Sequence, residues 1–385
     1  MPAYFKSLLG SETIQSVLDS QGGIGRGFDY LRIALAVVIF QSHAGAVAGN
    51  VTALGQLVQP TIASGPNDLL AQVRTSFYLS LVPMFFAVSG FLVAGSAYRL
   101  RNVRSFLIFR ALRIFPALTV EVVLSAFVLG SAFTVLSLDE YYSGRDFFLY
   151  FGNILGFVHY RLPGVFNDHP YASVVNANLW TLPGEFYCYL LMSAAMIVGL
   201  LYSRRALLIV VVCLTVLLIA FDISSEVRIF KNHLDTSLIV YYFVLGVIFF
   251  QWRDIICINW YLVVVAVIAV VFSIRYSHYA HLTPLFLTYI TVAIGTARLP
   301  ELTFMKDKDY SYGIYLYGFP IEQASIAAFP WLKGHSWWTF GVAGTITLIF
   351  AVASWHAVER PALRMKRMFS VDRKITRQID RPSVG

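Results

Sequence analysis

The segment from Phe28 to His43, FDYLRIALAVVIFQSH, constrains this chain most: it belongs to an apolar run that can span a bilayer, yet it carries an arginine and a histidine. A charged group in hydrocarbon costs about 2.5 kcal/mol or more, so such residues face a bundle interior and mark functional paths. Arg32 and His43 are eleven positions apart, which is close to a whole number of helical turns and about 16 Å along the axis. We therefore predict that both line one internal channel, with Arg32 near one membrane surface and His43 about two-thirds of the way across.

The composition is that of a polytopic membrane protein. Of the 385 residues, 58% are apolar and 13% are charged, with a mean hydropathy of +0.68, which excludes an ordinary soluble domain. The net charge of +8 does not indicate nucleic acid, because the basic residues cluster at the ends of apolar segments, as topology signals do. Cys188, Cys213 and Cys257 lack CxxC spacing, so neither a disulfide framework nor a metal site is expected.

The apolar segments predict an all-α, polytopic transmembrane helical bundle of about ten spans with both termini cytoplasmic. A further apolar piece at 147–160 is too short for a hydrocarbon core of about 30 Å and is predicted to be a re-entrant or interfacial helix. With this orientation, roughly three-quarters of the 29 Lys and Arg residues lie inside, as the positive-inside rule requires. The predicted spans cover about 28–49, 77–97, 114–136, 181–201, 206–221, 236–251, 259–275, 281–297, 310–329 and 338–358.

Three regions follow from this pattern. Residues 28–358 are predicted to form one membrane domain, and residues 1–27 a cytoplasmic segment that lacks the apolar core and cleavage site of a signal peptide. Residues 359–385 are predicted to form a basic cytoplasmic tail that lies on anionic lipid head groups.

Two titratable side chains are predicted at one depth near the outer surface. His43 lies about six residues from the outer end of its span, and Glu185, in the sequence WTLPGE, about four residues from the outer end of its own. A carboxylate that is hydrogen-bonded to one imidazole nitrogen raises the basicity of the other nitrogen. This pairing would make His43 a general base able to activate a hydroxyl. The alternative is a purely structural hydrogen bond between two helices.

Arginines are predicted to gather near the inner surface. Arg110 and Arg113 share a helix face at i, i+3, and Arg32 lies at a similar depth. Guanidinium groups suit phosphates, so these three are candidates for binding an anionic ligand. Asp29 and Glu359 are predicted near the same surface, where they can pair with the arginines.

Other charged residues carry less functional signal. Arg99, Arg101 and Arg104 are interpreted as topology signals. Glu121 and Glu322 lie deep in predicted spans, and the role considered for them is to line a channel. The other histidines fall in loops or at span ends without metal-ligand spacing. The sequence contains no HExxH, GxSxG, Walker or suitably placed GxGxxG motif, so peptidase, serine hydrolase, nucleotidase and dehydrogenase functions lack support.

Six sequence blocks occur in order along the chain: Arg32 to His43, FFAVSGFL at 85–92, FRALRIFP at 109–116, WTLPGE at 180–185 with Tyr187, SYGIYL at 311–316 and ERP at 359–361. Together they resemble acyltransferase family 3, integral membrane proteins that include O-acetyltransferases of bacterial surface and secreted glycans. The sequence departs from the family where Tyr317 and Gly318 replace a histidine before Phe-Pro, and in Pro183 and Gly184 before Glu185. Residues expected to support the site are Asp29, Ser89, Trp180, Tyr187, Ser311, Tyr315 and Glu359.

The resemblance implies transfer of an acyl group, most often acetyl, from cytoplasmic acyl-CoA to a hydroxyl of an extracytoplasmic glycan. It implies His43 and Glu185 as catalytic residues and Arg32, Arg110 and Arg113 as donor-binding residues. His43 is either a base or a covalent carrier. Acyl-CoA is then a co-substrate with no bound cofactor or metal, the other partners are the glycan acceptor and the lipid bilayer, and the location is a bacterial inner membrane.

Two functions from other classes remain open. A proton-coupled transporter would use Arg32, His43, Glu121 and Glu322 as a path without making bonds, although no inverted repeat supports it. A non-catalytic component of polysaccharide export would leave glycan modification unchanged when His43 is replaced. Covalent transfer of label from acetyl-CoA to a glycan would distinguish an acyltransferase from the transporter and from the export component.

Overall fold

The computed structural model describes residues 12–23, 25–50, 69–224, 236–300 and 308–369. Most of the predicted outer loop at 50–76 and most of the predicted basic tail therefore lie outside the described residues.

The described residues form a helical bundle. Short 3-10 turns join several helices, and two π-helical segments, Ser125–Leu129 and Trp355–Glu359, continue the α-helices Val103–Leu124 and Ser336–Ser354 without a break. The α-helices are α1 Ile14–Asp19, α2 Arg26–Val47, α3 Leu69–Leu100, α4 Val103–Leu124, α5 Gly130–Phe133, α6 Leu138–Ser143, α7 Arg145–Tyr150, α8 Leu182–Ile197, α9 Arg204–Ser224, α10 Thr236–Gln251, α11 Trp260–Arg275, α12 Thr283–Gly295, α13 Ser311–Ala328, α14 Ser336–Ser354, α15 Arg360–Arg364 and α16 Lys366–Phe369.

A helix lies at each predicted span, namely α2 to α4 and α8 to α14. Within the described ranges, five helices are long and apolar enough to cross a membrane. The other predicted spans coincide with shorter or less apolar helices, so the helical membrane class is confirmed and the span count of ten stays a prediction. The five helices are Arg26–Val47, Val73–Leu100, Val103–Phe133, Arg204–Phe221 and Ser336–Phe369.

The close packing of α3 against α10 depends on two glycines. A Cβ atom at Gly90 would lie 2.0 Å from the carbonyl oxygen of Phe243, and one at Gly246 would lie 2.3 Å from the carbonyl oxygen of Ala87. Small residues let two membrane helices approach until their backbones touch. Gly90 belongs to the FFAVSGFL block, so this block has a packing role on one helix face.

Gly90→Ala is expected to lower the free energy of unfolding by about 1–3 kcal/mol, because the methyl group forces α3 and α10 apart. Thermal unfolding in detergent measures the change. Gly341→Ala on α14 is the matched control, since a Cβ atom there meets no heavy atom within 4 Å. Equal unfolding temperatures for the two variants would show that the helices can move apart freely.

One end of the bundle collects the segments predicted to be cytoplasmic, and we call it the inner end. Strands β1 (Glu12–Thr13) and β2 (Cys257–Ile258) pair there in antiparallel fashion. Arg298 forms an ion pair with Glu12 at 2.6 Å, and Ser105 Oγ donates to the Phe369 carbonyl at 3.4 Å. This short two-stranded sheet departs from an all-α fold. It forms because the extended N-terminal segment lies beside the α10–α11 connection and pairs with it through backbone hydrogen bonds.

The segment predicted to be re-entrant or interfacial is short. Helix α7 is followed by a 3-10 turn, Phe151–Leu155, which ends at Gly156 with a left-handed φ of 84°. These two elements contain too few residues to cross a core of about 30 Å. Their depth in the membrane stays a prediction.

The loop before α8 runs down along α13 from the outer end. Gln323 donates a hydrogen bond to the Tyr171 carbonyl at 2.7 Å, and further along the loop Asn178 donates to the Tyr315 carbonyl at 2.5 Å. The eight residues from Gln323 back to Tyr315 correspond to about 12 Å along α13. Helix α8 therefore begins deep in the bundle rather than at its outer end.

Candidate active site

A central cavity of about 160 Å³ lies between α2, α3, α4, α8 and α13. It contains the three arginines that the sequence predicted to gather, together with Glu185. Three of the predicted supporting residues, Ser89, Ser311 and Tyr315, also line it. Its charged lining residues are Arg32, Arg110, Arg113, Glu185 and Asp309.

Two of these arginines belong to a network of ion pairs. Asp309 Oδ2 lies 3.2 Å from Arg32 Nη1 and also pairs with Arg113 Nη2. The network continues from Arg32 to Asp29 at 2.5 Å and from Arg113 to Glu359 at 3.3 Å. The predicted pairing of Asp29 and Glu359 with arginines is therefore present, and the network joins α2, the start of α13, α4 and the π-helical end of α14.

Asp309 is the residue that sequence reasoning missed. Its Oδ1 accepts hydrogen bonds from the backbone N–H and the hydroxyl of Ser311, at 3.2 and 2.5 Å. Burial alone would raise the pKa of Asp309, but the guanidinium groups of Arg32 and Arg113 and the bonds from Ser311 lower it below its usual value. An acidic residue just before an apolar helix, where the helix dipole favours an anion, was the available signal.

Arg110 differs from the other two arginines. Its Nη2 donates a long hydrogen bond of 3.4 Å to Ser96 Oγ, and its guanidinium lies 5.9 Å from the Phe106 ring and 6.0 Å from the Tyr189 ring. It forms no ion pair with any carboxylate in the ranges that the structure describes. The three predicted donor-binding arginines are thus not equivalent, since carboxylates already hold two of them.

Glu185 lies in the first turn of α8 and faces the central cavity, as do Cys188 and Tyr189 one turn later. Tyr187, expected to support the site, is 56% exposed on the outside of α8, because position i+2 falls on the far side of a helix. Trp180 is half-buried in the 3-10 turn before α8 and packs on the main apolar core. It is absent from the cavity lining.

His43 is half-buried, and its ring lies edge-on to the Phe319 ring with centroids 5.3 Å apart. Its Nδ1 is buried and has no hydrogen-bond partner among the described residues. Among the described residues, His43 and Glu185 form no hydrogen bond with each other, so the predicted hydrogen bond is absent. The reason is the deep start of α8, which places Glu185 with the arginines instead of near the outer end.

Arg32 and His43 also do not line one described cavity. The stacked pair Phe28 and Phe91, with ring centroids 5.1 Å apart, and the Tyr78–Gln41 hydrogen bond of 3.2 Å fix the antiparallel register of α2 and α3. In this register Val82, the outermost α3 residue of the central cavity, lies about six residues or 9 Å short of the level of His43. The predicted single channel ends below the imidazole.

The buried carboxylates of the transporter hypothesis lie elsewhere. Glu121 Oε1 accepts hydrogen bonds from Ser125 at 2.8 Å and Asn176 at 2.9 Å, and Glu121 lines a separate apolar cavity of about 320 Å³. Neither oxygen of Glu322 has a hydrogen-bond partner among the residues described. Neither carboxylate lines the cavity that contains Arg32.

The sequence matches the acyltransferase domain of acyltransferase family 3 over residues 26–356. An O-acetyl transferase of Shigella phage Sf6 is 25% identical over 347 residues, which cover 86% of this chain and 94% of that protein. Nodulation protein 10 of Rhizobium leguminosarum bv. viciae is 27% identical over 382 residues, which cover 90% and 96%. No solved structure is significantly similar to this chain. The matched range contains α2 with its arginine and histidine and every helix around the central cavity, and this chain therefore belongs to the acyltransferase 3 family of membrane proteins.

Proposed function

We propose that this protein transfers an acetyl group from cytoplasmic acetyl-CoA to a hydroxyl of an extracytoplasmic polysaccharide or lipid-linked glycan. The observation that carries the proposal is a helix, α2, with a guanidinium in a cationic cavity near one end and an imidazole further out toward the other. The family supplies acyl transfer. The name of the phage relative supports acetyl as the acyl group.

The finer topology belongs to the same proposal. The protein crosses a bacterial inner membrane ten times, with both termini on the cytoplasmic side, and this topology places the basic segments inside. Contacts join residues 12–20 to residues 253–258 and 298, and join Ser105 to Phe369, and they support a common side for the segments within each group. Residues 28–358 then form the membrane acyltransferase domain, between a cytoplasmic segment and a basic tail.

Donor phosphates are proposed to bind Arg110 at the inner end of the central cavity. A guanidinium without a carboxylate partner can accept an anion without breaking an ion pair, whereas Arg32 and Arg113 would have to release Asp309. The cavity wall further out is largely apolar and includes Val82 and Phe85. This wall suits the uncharged arm that carries the thioester.

The acyl carbon is then delivered toward His43, and donor binding must extend the cavity by the remaining distance of about 9 Å. In the simplest sequence, the imidazole takes the proton of the acceptor hydroxyl, the new carbon–oxygen bond forms, the carbon–sulfur bond breaks, and the thiolate leaves toward the inner side. In the alternative sequence, an imidazole nitrogen attacks the thioester and the thiolate leaves; the acceptor hydroxyl then attacks the acyl carbon, the carbon–nitrogen bond breaks, and the hydroxyl proton passes to the released imidazole. Both sequences need a neutral imidazole with one free ring nitrogen.

Arg110→Gln is expected to raise the KM for acetyl-CoA about tenfold or more, because a neutral amide loses the charge-assisted hydrogen bonds to phosphate. The assay measures transfer of labelled acetyl groups by protein in nanodiscs to glycan from a strain that lacks this protein. Arg205→Gln, an exposed arginine at the start of α9, is the control and should keep the wild-type KM. If wild-type protein transfers no label to any surface glycan, the proposed function is wrong.

A further inference from the structure

Three cationic side chains from three helices lie near one another toward the inner end of the bundle. Arg110 on α4 lines the cavity, and Arg99 lies one turn after Ser96, which accepts a hydrogen bond from Arg110. Lys366 begins α16, and its Nζ lies 5.4 Å from the centre of the Phe109 ring, next to Arg110 in sequence. The Nη1 atom of Arg99 lies 3.5 Å from the position that a Cβ atom at Gly95 would take, so its guanidinium turns back toward the residue next to Ser96.

These three cations have no anionic partner in the part of the chain that the structure describes. Asp309 and Glu359 are bound to Arg32 and Arg113, and Glu185, which lines the same cavity as Arg110, forms no ion pair with these cations among the described residues. Like charges held close together cost free energy unless an anion joins them. A bound anion would therefore lower the repulsion among these three cations.

We propose that Arg99, Arg110 and Lys366 form a phosphate site that binds the nucleotide phosphates of the acyl donor. Guanidinium groups bind phosphate through paired N–H donors, and a lysine adds a point charge. Three cations match a ligand with more than one phosphate group better than a phospholipid head group with a single phosphate. The identity of the donor rests on the proposed function, whereas the affinity for phosphate rests on the three cations alone.

The site gives Arg99 and Lys366 a role beyond topology. Arg99 was interpreted from the sequence as a positive-inside signal, and Lys366 as part of a basic tail on lipid head groups. Helix α16 packs against α4, where the Phe369 carbonyl accepts a hydrogen bond from Ser105 Oγ. That contact holds Lys366 next to Phe109, the neighbour of Arg110 in α4.

The test compares two donors that differ in their phosphates, acetyl-CoA and S-acetylpantetheine. Lys366→Gln is expected to raise the KM for acetyl-CoA about tenfold and to leave the KM for S-acetylpantetheine at the wild-type value. Lys366→Arg should restore most of the lost affinity, and Arg104→Gln, an exposed arginine near the start of α4, should match wild type. Equal increases in KM for both donors would show a structural role for Lys366 and overturn the proposal.

Calorimetric titration with adenosine 3′,5′-bisphosphate tests the site without turnover. Wild-type protein in phosphatidylcholine nanodiscs should bind the nucleotide, and Arg99→Gln and Lys366→Gln should each weaken binding about tenfold. Nucleotide binding by a protein that transfers no label would refute the proposed function and retain the phosphate site. If the nucleotide does not bind but phosphatidylglycerol raises the unfolding temperature in a Lys366-dependent manner, the site holds lipid and the donor assignment is overturned.

Discussion

His43→Ala is expected to reduce kcat for acyl transfer by about 10²–10⁴-fold, the usual contribution of a positioned general base. His43 is the titratable side chain on α2 that lies outward of the central cavity, and its buried Nδ1 has no hydrogen-bond partner in the described residues. Donor binding should change little, because the proposed phosphate site lies at the other end of the cavity. Single-turnover transfer of labelled acetyl groups measures the effect.

The thermal unfolding temperature of His43→Ala should stay within a few degrees of wild type, since the ring has only an edge contact with Phe319. A correctly folded variant with more than a tenth of wild-type activity would remove His43 from the mechanism. Acid quenching after incubation with labelled acetyl-CoA, in the absence of an acceptor, separates the two proposed roles. Label on the wild-type protein that is missing from His43→Ala identifies a covalent carrier, and unlabelled protein identifies a base.

Asp309→Asn is expected to destabilise the protein by about 3–5 kcal/mol, the typical cost of removing one partner from a buried ion pair. Asp309 bridges Arg32 and Arg113, so its neutralisation leaves two guanidinium groups close together without the anion between them. Helices α2 and α4 and the start of α13 lose their common contact. The loss should appear as a lower unfolding temperature in detergent.

Asp29→Asn is the matched control, because Asp29 pairs with the same arginine but its side chain is 50% exposed. An exposed pair contributes about 0–1 kcal/mol, so this variant should unfold close to wild type. Equal small effects of the two substitutions would show that Asp309 is dispensable.

The pKa of Asp309 is lowered in the folded state. Its contribution to stability is therefore present above the ordinary carboxyl range near pH 4 and is lost as the pH falls through the folded-state pKa.

Much of this molecule follows from local sequence patterns. Runs of apolar residues of bilayer length predicted a helix at every place where a long helix occurs, because hydrogen bonding within the segment is required in hydrocarbon. Arg32 in the first span and Arg110 and Arg113 just before the third were predicted to gather near the inner surface, because charged groups avoid lipid. The order of the motif blocks indicated the family that the comparison confirmed.

The partners of individual side chains could not be read in the same way. The prediction for Glu185 assumed that its span starts at the outer surface, but Asn178 ties the preceding loop to Tyr315 deep in the bundle. Tyr187 was expected to support the site because it belongs to a family block, but it lies on the exposed face of α8. Asp309 was overlooked because its importance comes from two arginines that are distant in sequence.

Hydrophobicity and residue spacing act along the chain, so the amino-acid sequence was enough to predict a helical membrane protein of the acyltransferase 3 family with arginines and a histidine directed inward. The packing of remote segments showed which arginines are neutralised, that Arg110 has no carboxylate partner among the described residues, and that Lys366 lies near it. These properties depend on ion pairs and depths set by contacts between remote segments, and the free energy of a buried charge is fixed by its neighbours in space.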